Sequence, residues 1–406
     1  MPNKIPFQVD AKVLKKYADV FVKFALNKGE GIKKGETVIL QVPESARPML
    51  EPLQRSVLEA GGYPICRLIP EGLSKSFFEL ASDEQIEYNP KKMLMAKVEE
   101  VDHFVSIISD FDPVELAGVD SKKIMQRSKA GKFYKEALFK KWDSGKGSWT
   151  LGMYATEAMA EQAGISVEEY WDQISEACFL KEEDPIAKWK EVYGQIDKIL
   201  NYLNSLDMRW VNIKGEDCDL NIYIGENRKW LGGSGHNIPS FECFISPDWR
   251  KTNGWIKFDQ PLLRYGSRIE GIELEFKDGL VVNSKASMNE NLLKEMLAQK
   301  NADKVGEFSL TDKKLSRITK FMAQTLFDEN VGGPFGNTHI AVGSAYKDSI
   351  KGDPKDYTQE EFDNLGFNES VIHTDIVSTK DRVATATLVD GREVVIYKDG
   401  EFTFDM

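Results

Sequence analysis

Cysteine and histidine are scarce: the 406 residues contain four of each. Cys66, Cys178, Cys218 and Cys243 stand apart with no CxxC spacing, which excludes a disulfide framework and a thiolate zinc knot and predicts buried, reduced thiols. His103, His236, His339 and His373 leave a histidine-based site few places to form, and three of them lie in the second half. Positive charge is also short, with 53 Lys and Arg against 65 Asp and Glu, for a net charge of -12. Binding a phosphate backbone needs the opposite footprint, so nucleic acid is not an expected partner. No stretch approaches the roughly 18 apolar residues that cross a bilayer. The opening MPNKIPFQVDAKVLKKYADVFVKFAL lacks the continuous apolar run of a secretory signal, so no membrane partner and a cytoplasmic location are expected.

What is present suits a two-domain globular chain, because 406 residues exceed what one hydrophobic core usually serves. After Asp10, a fitting N-cap, Val13, Leu14, Tyr17, Phe21, Phe24 and Ala25 recur at helical spacing and predict an amphipathic helix. ETVILQV at 36–42, YPICRLI at 63–69 and HFVSIIS at 103–109 are short apolar runs separated by helical segments, which predicts a parallel α/β layer. From Ile174 to Leu206 the pattern is helical, with Trp189, Val192, Ile196, Ile199 and Leu203 on one face, and the domain connection is placed there. Beyond it the period changes to two, in WVNI, DLNIYI, SFECFI, GIELEF, GLVVNS, TATLV and EVVIY, with GED, KDG and DGR turns between them. The expected architecture is an α/β N-terminal domain over 1–190 and an α+β, mainly antiparallel β domain over 191–406.

The sharpest local signal is HTD at His373 to Asp375, within the strand-like ESVIHTDIVS. Side chains two apart on a strand share a face, so His373 and Asp375 can converge on one ion. DENVGGPFGNTHIAVGSAY, from Asp328 to Tyr346, adds Glu329, His339 and Tyr346 around a glycine-rich loop that can fold the first two onto one site. Gly332, Gly333 and Gly336 do not fit GxGxxG and the P-loop lysine and serine are missing, so a phosphate cradle is not expected. Glu242 and Glu307 stand in apolar strand-like runs, where a carboxylate is costly to bury without a cation. Cys243 should face away from Glu242. Phe241, Phe244 and Trp249 suit either an apolar pocket or the core, and His103 and His236 are left unassigned. Four carboxylates and two imidazoles without a thiolate suit zinc, cobalt, manganese or magnesium, and they overfill a single catalytic ion, which favours a two-metal site.

HNIPSFECFISPDWR, NGWIKFDQPLL, EGIELEFKDGLVV, VGEFSL, LFDENVGGPFGNTHIAVGSAY, NESVIHTDIVS and GREVVIYKDGEFTF, in this order over about the last 170 residues, resemble the aminopeptidase T and aminopeptidase S group of dinuclear metalloaminopeptidases. The resemblance implies that 191–406 is the catalytic domain. It places metal ligands at Glu242, Glu307, Glu329, His339, His373 and Asp375, with Tyr346 as the site tyrosine. It further implies a metal-activated water that releases N-terminal residues from short peptides with a free N-terminus, with Glu307 and Tyr346 as catalytic groups, and a homodimer with enclosed active sites. Two departures stand out: Phe241 precedes Glu242 where many relatives have glycine, and the segment between Glu329 and His339 is longer than in the shortest relatives. A two-metal phosphoesterase is the alternative, although a clear basic clamp for phosphate is missing. A non-catalytic metal-binding protein with a closed ligand shell is the third reading.

Overall fold

Asp10 accepts a hydrogen bond from the Lys12 amide at 2.7 Å and starts the helix Ala11–Val20 where the spacing predicted one. Its Leu14 and Tyr17 are buried, as are Phe21, Phe24 and Ala25 beyond its end, so the apolar face is a core face. The structure, a computed structural model, describes residues 7–264 and 267–404; the first six residues of the N-terminal stretch lie outside them.

The chain divides into two units. The first takes the described residues up to Lys190 together with Ser234–Pro239, and the second takes Glu191–Gly233 and the described residues from Ser240 onward. In the first unit, β1 (Thr37–Pro43), β2 (Tyr63–Ile69), β3 (His103–Ile108) and β4 (Ser148–Met153) form a parallel sheet in the order β2-β1-β3-β4. Central β1 buries Val38 to Leu40, whereas edge strand β2 leaves Tyr63 and Ile65 exposed. The same edge exposes Cys66, which corrects the expectation of four buried thiols; Cys178, Cys218 and Cys243 are buried, and all four are free.

Strand β4 was not predicted, since SWTLGM is neither alternating nor continuously apolar. Its edge is extended by the distant segment Ser234–Pro239. The Leu151 N–H donates to His236 O at 2.7 Å, the Ile238 N–H donates to Leu151 O at 2.9 Å, and the His236 ring stacks on Trp149 at 4.5 Å. The helix Pro185–Ser205 follows, with Trp189, Val192, Ile196, Ile199 and Leu203 all buried as its period required.

The second unit is mainly antiparallel β. Its strands are β5 (Met208–Gly215), β6 (Cys218–Tyr223), β7 (Glu242–Ile245), β8 (Asn253–Lys257), β9 (Leu262–Arg264), β10 (Ser267–Ile269), β11 (Glu273–Lys277), β12 (Leu280–Lys285), β13 (Val305–Thr311), β14 (Asn337–Gly343), β15 (His373–Ser378), β16 (Val383–Leu388), β17 (Glu393–Lys398) and β18 (Glu401–Phe402). They form an eight-stranded sheet, β12-β11-β8-β6-β5-β16-β17-β18, a four-stranded sheet, β15-β14-β13-β7, and the short pair β9-β10. The KDG turn between β11 and β12 places Asp278 and Gly279 both at positive φ, 51° and 82°, the geometry that matches strand twist in a two-residue hairpin. In the four-stranded sheet every residue of β13 and β14 is buried, so the Glu307 carboxylate and the His339 imidazole lie within the body of the unit. No helix among the described residues is long and apolar enough to cross a membrane.

Candidate metal centre

The register of the four-stranded sheet determines which side chains meet. Partners directly opposite each other in an antiparallel pair point to the same face. Glu307 on β13 opposes Ala341 on β14, which opposes Asp375 on β15. Two residues from Ala341 in either direction, His339 opposes Ser309 and Gly343 opposes His373. Thr311 opposes Glu242, the first residue of β7. Because residues two apart share a face, Glu242, Glu307, His339, His373 and Asp375 all project from one side, with the small Ser309, Ala341 and Gly343 leaving room between them. Phe308, Leu310, Ile340 and Cys243 take the opposite side, where Cys243 was expected. At Gly343 a Cβ would lie 2.1 Å from Ile372 O, and φ is +103°, so the close approach beside His373 requires glycine.

A bulge precedes Glu307. Val305 pairs with Val342 but Glu307 pairs with Ala341, so Gly306 is the extra residue. Glu307 stays in alternation with Ser309 and Thr311, whereas Val305, two positions before it, is turned to the apolar side with Phe308 and Leu310.

Ligand atoms of Glu242, Glu307 and His339 all lie within 4.8 Å of one another. His339 Nε2 is 3.1 Å from Glu307 Oε1, 3.5 Å from Glu242 Oε2 and 3.9 Å from Asp375 Oδ1. His373 Nε2 is 3.4 Å from Asp375 Oδ1 and 3.8 Å from Glu307 Oε2. The two oxygens of Glu307 thus address different imidazoles. His373 Nδ1 is 2.8 Å from Ser344 O; a carbonyl can only accept, so Nδ1 carries a proton, and it is Nε2, facing the carboxylates, that offers a lone pair once the ring is neutral.

Burial, with Glu307 and Asp375 nearby, pushes the Glu242 carboxyl up to about 8. Burial opposes charge on both histidines, but the hydrogen bond to Glu307 and the charges of Asp375 and Glu242 raise His339 to about 9. His373 also rises to about 9 against burial, through Asp375, Glu307 and the Ser344 carbonyl. Asp375, which burial would raise, is held down at about 2 by His373, His339 and Arg264. His339 Nδ1 and Asp375 Oδ1 are buried without a hydrogen bond. Hard oxygen and imidazole donors, crowded carboxylates and an unsatisfied carboxylate oxygen fit a site for divalent cations.

Glu329 follows the helix Thr325–Asp328 and is 7% exposed, outside the three groups of closest approach; its charge is one of those that act on Tyr346. The Tyr346 ring is 4.8 Å from the His373 ring and 5.7 Å from that of Phe244. Overall Tyr346 is 43% exposed, but its hydroxyl end is crowded; that local burial first, then Glu307, Asp375, Glu329 and Glu242, raises the phenol well above its usual value. His339 lies within β14, just after the glycine-rich loop, which ends before Asn337.

Phe241 is fully buried, and Trp249 lies 3.9 Å beneath the Lys304 ammonium. Neither unassigned histidine joins the cluster. His103 is satisfied by Glu36 at 2.9 Å and Ser148 Oγ at 3.0 Å, and burial, with a smaller push from Lys28, holds His236 down at about 4. Sequence reading missed Arg264, whose Nη2 donates to His373 O at 3.3 Å, and it missed Asn330 and Asn337, which hydrogen-bond around Glu329. Asparagines carry no spacing signal of their own, and Arg264 sits on one of the unpredicted strands.

Comparison with known proteins bears on the chain as a whole. The family described as thermophilic metalloprotease (M29) matches residues 10–402. Aminopeptidase AmpS of Bacillus subtilis (strain 168) is 27% identical over 409 residues, covering 95% of this chain and 98% of that protein. Aminopeptidase T of Thermus thermophilus is 27% identical over 412 residues, covering 96% of each. Among solved structures, wild-type AmpT from Thermus thermophilus matches with a TM-score of 0.83 at 24% identity over 97% of this chain and 99% of that one, a likeness of fold.

Proposed function

Because the chain belongs to the thermophilic metalloprotease family M29 and is a metal-dependent aminopeptidase, we propose that it removes N-terminal residues from short, unblocked peptides at a site for two divalent ions. The observation that carries the two-ion reading is Glu307, whose two oxygens face His339 and His373 separately. Glu307, with Glu242, Glu329, His339, His373 and Asp375, would hold the ions. Divalent ions held there would polarise a peptide carbonyl and bring the pKa of water from its bulk value to about 7.

The chain's own groups then do the following. Glu307 accepts the proton of the attacking water and returns it to the leaving amine. Tyr346, a phenol that burial and then the nearby carboxylates push further above its usual value, donates its O–H to the developing oxyanion. Strand β13 orients Glu307, and Tyr346 follows the end of β14, its ring 4.8 Å from that of His373. Zinc, cobalt, manganese and magnesium all suit the donors. We assign 191–406 as the catalytic domain and 1–190 as the α/β domain, and place the protein in the cytoplasm as a homodimer.

The test is amino-acid release from unblocked and N-acetylated dipeptides by protein stripped with chelator and reloaded with each metal. Metal-dependent cleavage of only the unblocked peptides is expected. Equal cleavage of acetylated peptides, or activity that survives stripping, would overturn the reading. Glu307→Gln should keep the fold and lose roughly 10²–10⁴-fold in turnover, the usual worth of a general base.

A further inference from the structure

Asn330 is fully buried beside the candidate centre, and both ends of its side-chain amide are in use. Its Oδ1 accepts the Phe241 N–H at 2.7 Å. That contact assigns the amide, since only an oxygen can accept from an N–H, and it turns Nδ2 toward Leu326 O at 3.2 Å and Glu329 Oε1 at 3.4 Å. The backbone is fixed as well: the Asn330 N–H donates to Phe327 O at 2.9 Å, and its carbonyl accepts the Ser316 hydroxyl.

Phe241 is the residue before Glu242, and Glu242 is the last rung of the β7–β13 ladder. The hydrogen bond to Phe241 N–H therefore holds the backbone one step beyond that ladder, where β7 would otherwise fray. On the other side the same amide presents a donor to the Glu329 carboxylate. Asn337 Nδ2 secures the backbone of that turn, donating to Glu329 O at 2.8 Å and Asp328 O at 3.2 Å. A single buried amide thus links the backbone next to Glu242 with the carboxylate of Glu329, 87 positions later in the chain.

We infer that Asn330 is a positioning residue that fixes Glu242 and Glu329 relative to each other for binding of the second metal ion. The inference rests on the two-ion reading above. Groups that orient ligands in this way typically cost 10–100-fold in metal affinity when removed.

Asn330→Asp is the sharpest probe. It keeps an acceptor for Phe241 N–H at nearly the same volume, but it sets a carboxylate against Glu329 and Leu326 O. Cobalt(II) titration of the stripped full-length protein, followed by visible absorption and calorimetry, is expected to show two ions per chain in the wild type. In Asn330→Asp the first ion should bind within about threefold of wild type and the second roughly 10–100-fold more weakly. Combining the change with Glu329→Gln removes the repelled charge, so the double variant should bind the second ion no more weakly than Glu329→Gln alone. Ser316→Ala, which removes the support of the Asn330 carbonyl and the acceptor of the Ile318 N–H but neither contact of the Asn330 side chain, should lower the melting temperature and leave both affinities unchanged.

Should Asn330→Asp not fold, Asn330→Thr, too short to span the two partners, should weaken the second ion likewise. Unchanged second-ion affinity in either folded variant overturns the inference. A wild-type stoichiometry of one ion would instead overturn the two-ion reading beneath it.

Discussion

In the metal-free protein, His339 and His373, both at about 9, and Glu242, at about 8, carry protons at neutral pH. These protons must leave before the same atoms can ligate a cation, so apparent metal affinity should climb from pH 6.5 to about 9 and level off above it. Calorimetry in buffers of different ionisation heat would count the released protons; a flat affinity over that range would remove these groups from the ligand set. The stability of the stripped protein should run the other way. Both histidines rise from 6.5 to about 9 on folding, so their stabilisation is complete below 6.5 and lost as pH passes through about 9. Glu242, raised from 4.5 to about 8, loses its contribution in the same direction, beginning at 4.5. Asp375, lowered from 3.8 to about 2, adds a loss only on the acid side. The melting temperature of stripped protein should therefore fall between pH 6.5 and about 9. At the same scale, Tyr346→Phe should lower kcat by roughly 10²–10³-fold, the worth of one oxyanion donor, at constant metal content. Loss of metal in that variant would make Tyr346 a ligand instead.

At the scale of the element, the Gly306 bulge lets Val305 and Glu307, two positions apart, face opposite sides of the sheet, and a Cβ there would lie 2.3 Å from Ser344 O, so the bulge requires glycine. Gly336 makes a similar point in the loop before β14. It sits at φ +64°, and a Cβ there would lie 1.9 Å from the Tyr397 hydroxyl and 2.4 Å from Thr311 O. Gly336→Ala should cost at least about 1–3 kcal/mol by chemical denaturation, since strain at positive φ alone reaches that range. The sequence made the HTD pair legible because strand period two needs no partner to be read. It could not show that β7, β13, β14 and β15 lie side by side, since register depends on long-range pairing and on one bulge. Strands β4, β8, β9 and β10 escaped notice for a related reason: they are short, mixed in polarity and stabilised by neighbours rather than by their own pattern.

For the whole molecule, the change from a parallel layer to antiparallel hairpins was readable from hydrophobic period, and the helix Pro185–Ser205 fell where the text turned helical. The return of Ser234–Pro239 to the first unit was not readable, because six residues pairing with a strand about 80 positions earlier leave no periodic trace. A chain ending at Lys190 should show faster hydrogen exchange at the Leu151 amide, whose acceptor is His236 O, and altered Trp149 fluorescence after loss of the stacked imidazole. Unchanged exchange would mean that the edge is protected without the segment. The same excursion matters while the protein is being made. A ribosome adding about 5–20 residues per second takes roughly 4–16 s to travel from Met153 to Ser234. For that interval the outer edge of β4 is an open row of amides and carbonyls on a nascent chain, able to pair with a neighbour on the same polysome. Slower translation past Met153 lengthens that exposure, so the yield of soluble protein should depend on codon speed over 154–239 more than on the speed over an equal stretch further downstream.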